Sequence, residues 1–87
     1  MRHSRDTTAA GELLGARIRE VRTKRGLSQQ ALAERVGIPQ THVSAIEVGA
    51  KFPNLMTVLR FAAALECKVT DLVRVFDKAD LATLIEE

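Results

Sequence analysis

Residues 36–49 read VGIPQTHVSAIEVG, and this stretch decides the fold. Gly37 can take the left-handed backbone conformation that ends a helix. Pro39 keeps Ile38 out of the helical region, while its own fixed φ suits the first position of a new helix. The stretch therefore predicts a tight turn between two short helices, the second of which covers residues 39–48.

The second helix carries small side chains where a surface helix normally carries Lys and Glu. On a helical wheel, Val43 and Ile46 mark its inward side. Thr41, Ser44 and Ala45 point away from that side. Small hydroxyl and methyl groups let a helix approach base edges closely, so we interpret this face as a DNA-reading surface. The alternative is an indifferent face turned to solvent.

Helical patterns also flank this pair of helices. Apolar residues recur every three or four positions between Leu13 and Gly26, which predicts a first helix there. Later segments repeat the pattern behind residues that cap helices well. The predicted caps are Ser28, Asn54 and Thr70, and Asp77 and Asp80 lie at the start of a last helical pattern. No strand pattern appears, so the predicted fold class is all-α.

Residues 29–36 and 39–48, with the turn between them, have the size of a helix-turn-helix, whose second helix enters the DNA major groove. Ala33 is small where the two helices cross closely, and Gly37 permits the sharp turn. Val43 and Ile46 pack the second helix against the core. We predict a compact five-helix bundle containing this motif, with a short C-terminal helical extension. The DNA-binding domain covers residues 13–76, between a flexible arm over residues 1–12 and a helical tail over residues 77–87.

Charge is distributed unevenly along the chain. Residues 1–60 contain ten Lys and Arg against five Asp and Glu, a net charge of +5, whereas residues 61–87 contain three against six, a net charge of −3. The basic part is expected to meet a polyanion, although a solvated basic helix face has the same composition. No apolar run approaches the roughly 20 residues of a membrane span, and no signal peptide is visible. We expect a cytoplasmic protein without membrane partners.

Residues 13–76, about three quarters of the chain, resemble the Cro/repressor or Xre family, with LSQQALAERVGIPQTHVSAIEVG at the centre of the likeness. The family includes lambdoid phage repressors and restriction-modification controller proteins. The resemblance implies a lambda-repressor-like bundle that binds operator DNA as a homodimer. It also implies that Gln29 bonds a phosphate and supports Gln40, whose amide can read adenine. Finally, it implies an ion pair between Glu47 and Arg22.

The helical wheel and the resemblance together assign the DNA contacts. The predicted base contacts are Gln40, Thr41, Ser44 and Ala45. The predicted phosphate contacts are Ser28, Gln29, His42, Lys51, Asn54, Arg17 and Arg25. The chain departs from the family at Val48 and Ala50, where Arg, Asn or Lys often supply phosphate donors.

No enzyme is expected from this sequence. His42, Ser44 and Glu47 lie too close together on one short helix to converge as a hydrolytic triad. Cys67, the lone cysteine, excludes an internal disulfide and is assigned no chemistry. No metal, cofactor or small-molecule ligand is expected.

The C-terminal region offers more apolar surface than a small domain obviously buries, at Leu72, Phe76, Leu81, Leu84 and Ile85. Either the last helix folds back on the core, or these residues form a homodimer interface. A symmetric dimer would place two recognition helices about 34 Å apart on a pseudo-palindromic operator. The leading prediction is a dimeric transcriptional regulator. The alternative is an antitoxin or protein-interaction module with weak or no specific DNA readout.

Overall fold

A computed structural model describes residues 8–86 of the chain. This part contains six helices and no strand: α1 (Ala9–Lys24), α2 (Gln29–Val36), α3 (Gln40–Glu47), α4 (Leu55–Leu65), α5 (Val69–Val73) and α6 (Lys78–Glu86). None of these helices is both long and apolar enough to cross a membrane. The all-α prediction, with five helices and a C-terminal helical extension, is confirmed.

One apolar core holds the first five helices together. Phe61 of α4 is completely buried, and around it lie side chains from α1, α2, α3 and α5. The completely or almost completely buried residues are Phe61, Leu14, Ile18, Leu32, Leu65, Leu72 and Val43. Burying each such side chain contributes roughly 1.5–3 kcal/mol before conformational entropy is subtracted. The core therefore fixes the position of the two helices that carry the candidate DNA contacts.

Helix α1 begins four residues earlier than predicted. The Thr8 side chain accepts a hydrogen bond from the backbone N–H of Gly11 at 2.9 Å and caps the helix. Ala9 and Ala10 are strong helix formers, so nothing local opposes this extension. Residues 9–12 consequently belong to α1 and not to a flexible arm, and the rest of the predicted arm lies outside the described residues.

Helices α1 and α3 approach each other through glycine. A Cβ atom added to Gly15 would collide with the backbone carbonyl oxygens of Ile46 and Glu47. One turn earlier, a Cβ atom on Gly11 would lie 2.8 Å from the carbonyl oxygen of Gly49. The backbone of α1 thus lies directly against the end of α3, and no side chain separates the two helices there.

Two predicted helix starts need correction. Pro39 has an extended conformation, with φ −63° and ψ 149°, so it is the N-cap of α3 and Gln40 is the first helical residue. Helix α5 starts after Lys68 and not after Thr70. The reason is Asp71, whose carboxylate accepts a hydrogen bond from the Lys68 backbone N–H at 3.0 Å and thereby closes the first turn.

The C-terminal apolar residues divide into two groups. Leu72 is completely buried in the core of its own chain, and Phe76 is partly buried against that core, so placing Leu72 at a dimer interface was wrong. Helix α6, in contrast, has no buried residue. Its Leu81, Leu84 and Ile85 are 52%, 48% and 89% exposed. Of the five predicted interface residues, these last three are the exposed ones.

Candidate nucleic-acid interface

The turn between α2 and α3 is closed by backbone hydrogen bonds at a glycine. Gly37 has a φ of 85°, which lies in the left-handed region that side chains disfavour. The N–H groups of Gly37 and Ile38 both donate to the carbonyl oxygen of Ala33, at 2.8 and 3.1 Å. Ala33 is buried where the two helices meet, so a larger side chain would push them apart. The turn has the geometry that the sequence predicts.

The outward face of α3 is open. Val43 and Ile46 are buried, as predicted for the inward side. The four predicted base contacts lie on accessible surface, with Gln40 and Thr41 exposed and Ser44 and Ala45 half-buried. Val48, just beyond the helix, is 60% exposed and extends this face with an apolar side chain. The face is therefore accessible and lacks long charged side chains.

The ion pair expected between Arg22 and Glu47 is present and buried. The guanidinium Nε and Nη2 of Arg22 lie 2.6 and 3.0 Å from the two carboxylate oxygens of Glu47. The Glu47 side chain is only 2% exposed. Arg22 also donates through Nη1 to the Leu27 carbonyl oxygen at 2.8 Å. One side chain thus connects α1, the turn after α1 and the end of α3.

Gln29, the first residue of α2, links this ion pair to the recognition helix. Its Nε2 donates to Oε1 of Glu47 at 2.9 Å, and its Oε1 accepts from Nε2 of Gln40 at 3.2 Å. The resemblance implied the contact with Gln40, but we did not predict the contact with Glu47. The sequence spacing could have indicated this contact. Gln40 and Glu47 are seven residues apart and so lie on the same side of α3, about two turns apart, where one side chain from α2 can face both.

Two of the predicted phosphate contacts are helix caps that keep a free donor. The Ser28 hydroxyl oxygen accepts from the Ala31 N–H at 3.0 Å, and Oδ1 of Asn54 accepts from the Thr57 N–H at 2.8 Å. These bonds occupy acceptor atoms only. The Ser28 hydroxyl hydrogen and the Asn54 amide group remain able to donate to an anion.

A second group of predicted phosphate contacts surrounds a cleft between α3 and α4. The cleft has a volume of about 280 Å³, and its walls include His42, Lys51 and Asn54. His42 is half-buried, whereas Lys51 and Asn54 are exposed. The fold therefore brings together, around one cleft beside α3, three side chains that are separate in sequence.

Arg17 and Arg25 lie away from this surface. Assigning Arg17 to phosphate was wrong, because it is buried, whereas Arg25 is exposed and its assignment stays a prediction. Arg17 is buried and donates through Nε to the Asp71 carbonyl oxygen at 2.6 Å. Arg25 donates to the Glu66 carbonyl oxygen at 2.8 Å, next to the C-terminal end of α4, whereas Asn54 lies at its N-terminal end. Carbonyl groups at helix ends lack partners within their helix, and these two arginines satisfy them.

Cys67 has the environment of a packing residue. It is half-buried, and burial, helped by the nearby Asp71 carboxylate, raises the pKa of its thiol. A raised pKa reduces the thiolate fraction at neutral pH and makes the thiol a poorer nucleophile. The structure gives no reason to assign chemistry to this residue.

Comparison with known sequences identifies the motif. The helix-turn-helix family HTH_3 matches residues 18–72. The HTH-type transcriptional regulator YgzD of Bacillus subtilis is 36% identical over 55 residues, which cover 63% of this chain and 83% of YgzD. An HTH-type transcriptional regulator of Archaeoglobus fulgidus is 34% identical over 65 residues, which cover 75% of this chain and 91% of that protein.

Solved structures have the same architecture. The restriction-modification controller protein C.AhdI from Aeromonas hydrophila has a TM-score of 0.73 and 35% identity, over 75% of this chain and 98% of its own. The clp gene regulator ClgR from C. glutamicum has a TM-score of 0.75 and 26% identity, over 78% of this chain and 88% of its own. A second controller, C.Esp1396I, is 19% identical and shows similarity of fold alone.

Proposed function

The chain belongs to the helix-turn-helix family HTH_3, and from that membership we propose that it is a sequence-specific transcriptional regulator without enzymatic activity. In this proposal α3 enters the major groove of an operator. The observation that carries it is the open face of α3, where the exposed Gln40 amide lies among small side chains. Behind this face, Gln29 connects Gln40 to the buried Glu47 by hydrogen bonds. A helix with these features can approach base edges and is held firmly from behind.

Base recognition falls to the exposed and half-exposed residues of α3. The Gln40 amide can hydrogen-bond to adenine, and the hydroxyl groups of Thr41 and Ser44 can reach bases or phosphates. The Ala45 methyl group suits contact with the methyl group of thymine. The helix can come close because none of these side chains is longer than glutamine.

Phosphate binding would position the helix in the groove. The donors proposed at this surface are Ser28, Gln29, His42, Lys51 and Asn54, from the start of α2, α3 itself and the loop into α4. The first turns of α2 and α4 add the positive ends of two helix dipoles. Such contacts determine register and affinity but carry no sequence information.

A homodimer would supply the second half of a pseudo-palindromic site. Its proposed surface is the exposed apolar side of α6, at Leu81, Leu84 and Ile85. A cleft of about 290 Å³ lies beside this helix, and its apolar wall includes Leu13, Phe52 and Leu84. Apolar surface of this kind favours association, because burying it removes it from water.

Among regulators, we favour a controller of restriction-modification genes or a stand-alone repressor. The support is C.AhdI, which is itself such a controller and is matched over 98% of its own length. The competing function is an antitoxin or protein-interaction module on the same scaffold. The exposed Val48 favours it, because an apolar side chain stands there at the edge of the proposed DNA surface.

Selection of bound sites from a random duplex pool tests the proposal. We expect a partly palindromic consensus whose affinity falls steeply as salt increases, because bound phosphates release counterions. Equal binding of all sequences, or no binding at any salt concentration, would contradict a sequence-specific regulator. A chain that binds no duplex yet forms a stoichiometric complex with a protein would support the interaction module.

A further inference from the structure

We propose that Glu47 is a positioning residue for base recognition, which acts through Gln29 to fix the polarity of the Gln40 amide. The inference rests on the proposed function, since it concerns how the same DNA surface selects a base. Glu47 would then do more than pair with Arg22, because it would also determine how the Gln40 amide faces DNA.

The first step is the chemistry of the buried carboxylate. Glu47 is 2% exposed, and both its oxygens are paired with the guanidinium of Arg22, which stays charged. An ionised carboxylate can only accept hydrogen bonds. Any amide that contacts it must therefore present its NH₂ group and not its oxygen.

The second step concerns the orientation of the Gln29 and Gln40 amides. Gln29 turns Nε2 to Glu47, at 2.9 Å, so its Oε1 is the atom left for Gln40. Gln40 must then donate through its own Nε2, at 3.2 Å. Rotating either amide by half a turn would place two acceptors or two donors against each other. The charge of Glu47 thus orients both glutamines.

The third step concerns what Gln40 still offers to DNA. With one N–H donated to Gln29, its amide keeps one N–H and the acceptor Oε1. Adenine presents a matching acceptor and donor, N7 and the N6 amino group, in the major groove. Guanine presents two acceptors, so Oε1 would face O6 without a hydrogen between them. A fixed amide therefore favours adenine over guanine.

Replacing the carboxylate by an amide removes the fixed polarity. In Glu47→Gln, residue 47 can either donate or accept, so Gln29 and Gln40 can rotate together. Gln40 would then present its donor and acceptor in either order. Only one order matches both atoms of adenine, whereas guanine accepts one hydrogen bond from either order, so the advantage of adenine would shrink. A role limited to holding α1 against α3 predicts a different result, namely weaker binding to all sequences with base preference unchanged.

The test measures the affinity ratio between the selected duplex and the same duplex with guanine in place of adenine opposite Gln40. We expect the ratio to fall about twofold in Glu47→Gln and in Gln29→Ala, because only one of two amide orders then reads adenine, and no further in the double variant. Gln29→Ala leaves Arg22 and Glu47 paired. Gln30→Ala is the control, since this neighbouring exposed glutamine bonds to Glu34 and should leave the ratio unchanged.

Folded variants that keep the wild-type ratio would overturn the inference while leaving the proposed function intact. If Glu47→Gln does not fold, the pair Arg22→Met with Glu47→Gln replaces it, because that pair leaves no unpaired buried charge. For that pair too, a lower affinity ratio supports the inference and a wild-type ratio overturns it. A wild-type chain that prefers no duplex at all would overturn both proposals together.

Discussion

At the scale of single residues, the proposed DNA surface separates side chains that select a base from side chains that add affinity. Gln40 is exposed and held by Gln29. Lys51 lies in the loop after α3 and is exposed at the edge of a cleft. The Gln40 amide can discriminate between bases, whereas the Lys51 ammonium group can only neutralise a phosphate.

Gln40→Ala should relax specificity at one base pair in each half-site, with a loss of about 1–3 kcal/mol of discrimination. Lys51→Ala should weaken binding to all sequences alike and reduce the slope of log affinity against log salt by about one for each phosphate that it no longer neutralises. Titrating both variants against selected and altered duplexes distinguishes the two effects. Equal weakening of all sequences by Gln40→Ala would show that this residue does not read a base.

The buried ion pair makes a prediction about stability. Arg22→Leu would leave the Glu47 carboxylate buried without its cation, and we expect a loss of about 3–5 kcal/mol in the free energy of unfolding. Urea denaturation measures this quantity. Arg19→Leu, at an exposed position of the same helix, is the control and should change stability by less than about 1 kcal/mol. Similar small losses in both variants would mean that the pair contributes little.

At the scale of helices, the contact between α1 and α3 is backbone against backbone. Gly15 permits it, because its missing side chain leaves room for the carbonyl oxygens of Ile46 and Glu47. Replacing a helical glycine normally stabilises a helix by roughly 0.5–1 kcal/mol, but here the added methyl group has no space. The steric clash of the added methyl group should outweigh this gain, since backbone atoms cannot move aside as a flexible side chain can.

Gly15→Ala should therefore destabilise the domain by about 1–3 kcal/mol and also weaken DNA binding, because α3 would be displaced. Thermal unfolding and duplex titration provide the two measurements. Ala16→Val adds bulk at an exposed position one residue further along and should affect both much less. A stabilised Gly15→Ala variant would show that the two helices separate without strain.

The helices could be predicted more reliably than their ends and partners. Spacing of apolar residues locates Val43 and Ile46 in the core, because helical periodicity is a local property. It could not show that Arg17 is buried, since its partner, the Asp71 carbonyl oxygen, lies 54 positions away. The Gly11 contact with Gly49, which accompanies the earlier start of α1, is likewise a tertiary contact that no local pattern contains. The DNA contacts themselves stay predictions.

At the scale of the whole molecule, the two proposed surfaces lie on different helices. The reading face belongs to α3, while the proposed dimer surface belongs to α6. Basic residues are concentrated in the first 60 positions and acidic residues in the remainder, so the charge of the C-terminal part does not attract DNA. If both proposals hold, association and base recognition can be changed separately.

Ile85→Lys should shift the protein toward monomers and lower its apparent affinity for a two-site operator, with little effect on unfolding of the monomer. Sedimentation over a range of concentrations gives the mass, and duplex titration gives the affinity. Ala79→Lys is the matched control, because it adds the same charge to α6 at an exposed position about 160° away from Leu81. If both variants keep the wild-type mass, the dimer surface lies elsewhere or does not exist.

Helix α6 also has a kinetic consequence, because none of its residues is buried. A helix without buried side chains can open while the remaining five stay folded, so its amide hydrogens should exchange with solvent far sooner than those of α1 or α4. A partner that covers Leu81 and Ile85 would slow this exchange in proportion to its occupancy. The exchange rate of one short helix would then report how much of the protein is assembled at any concentration.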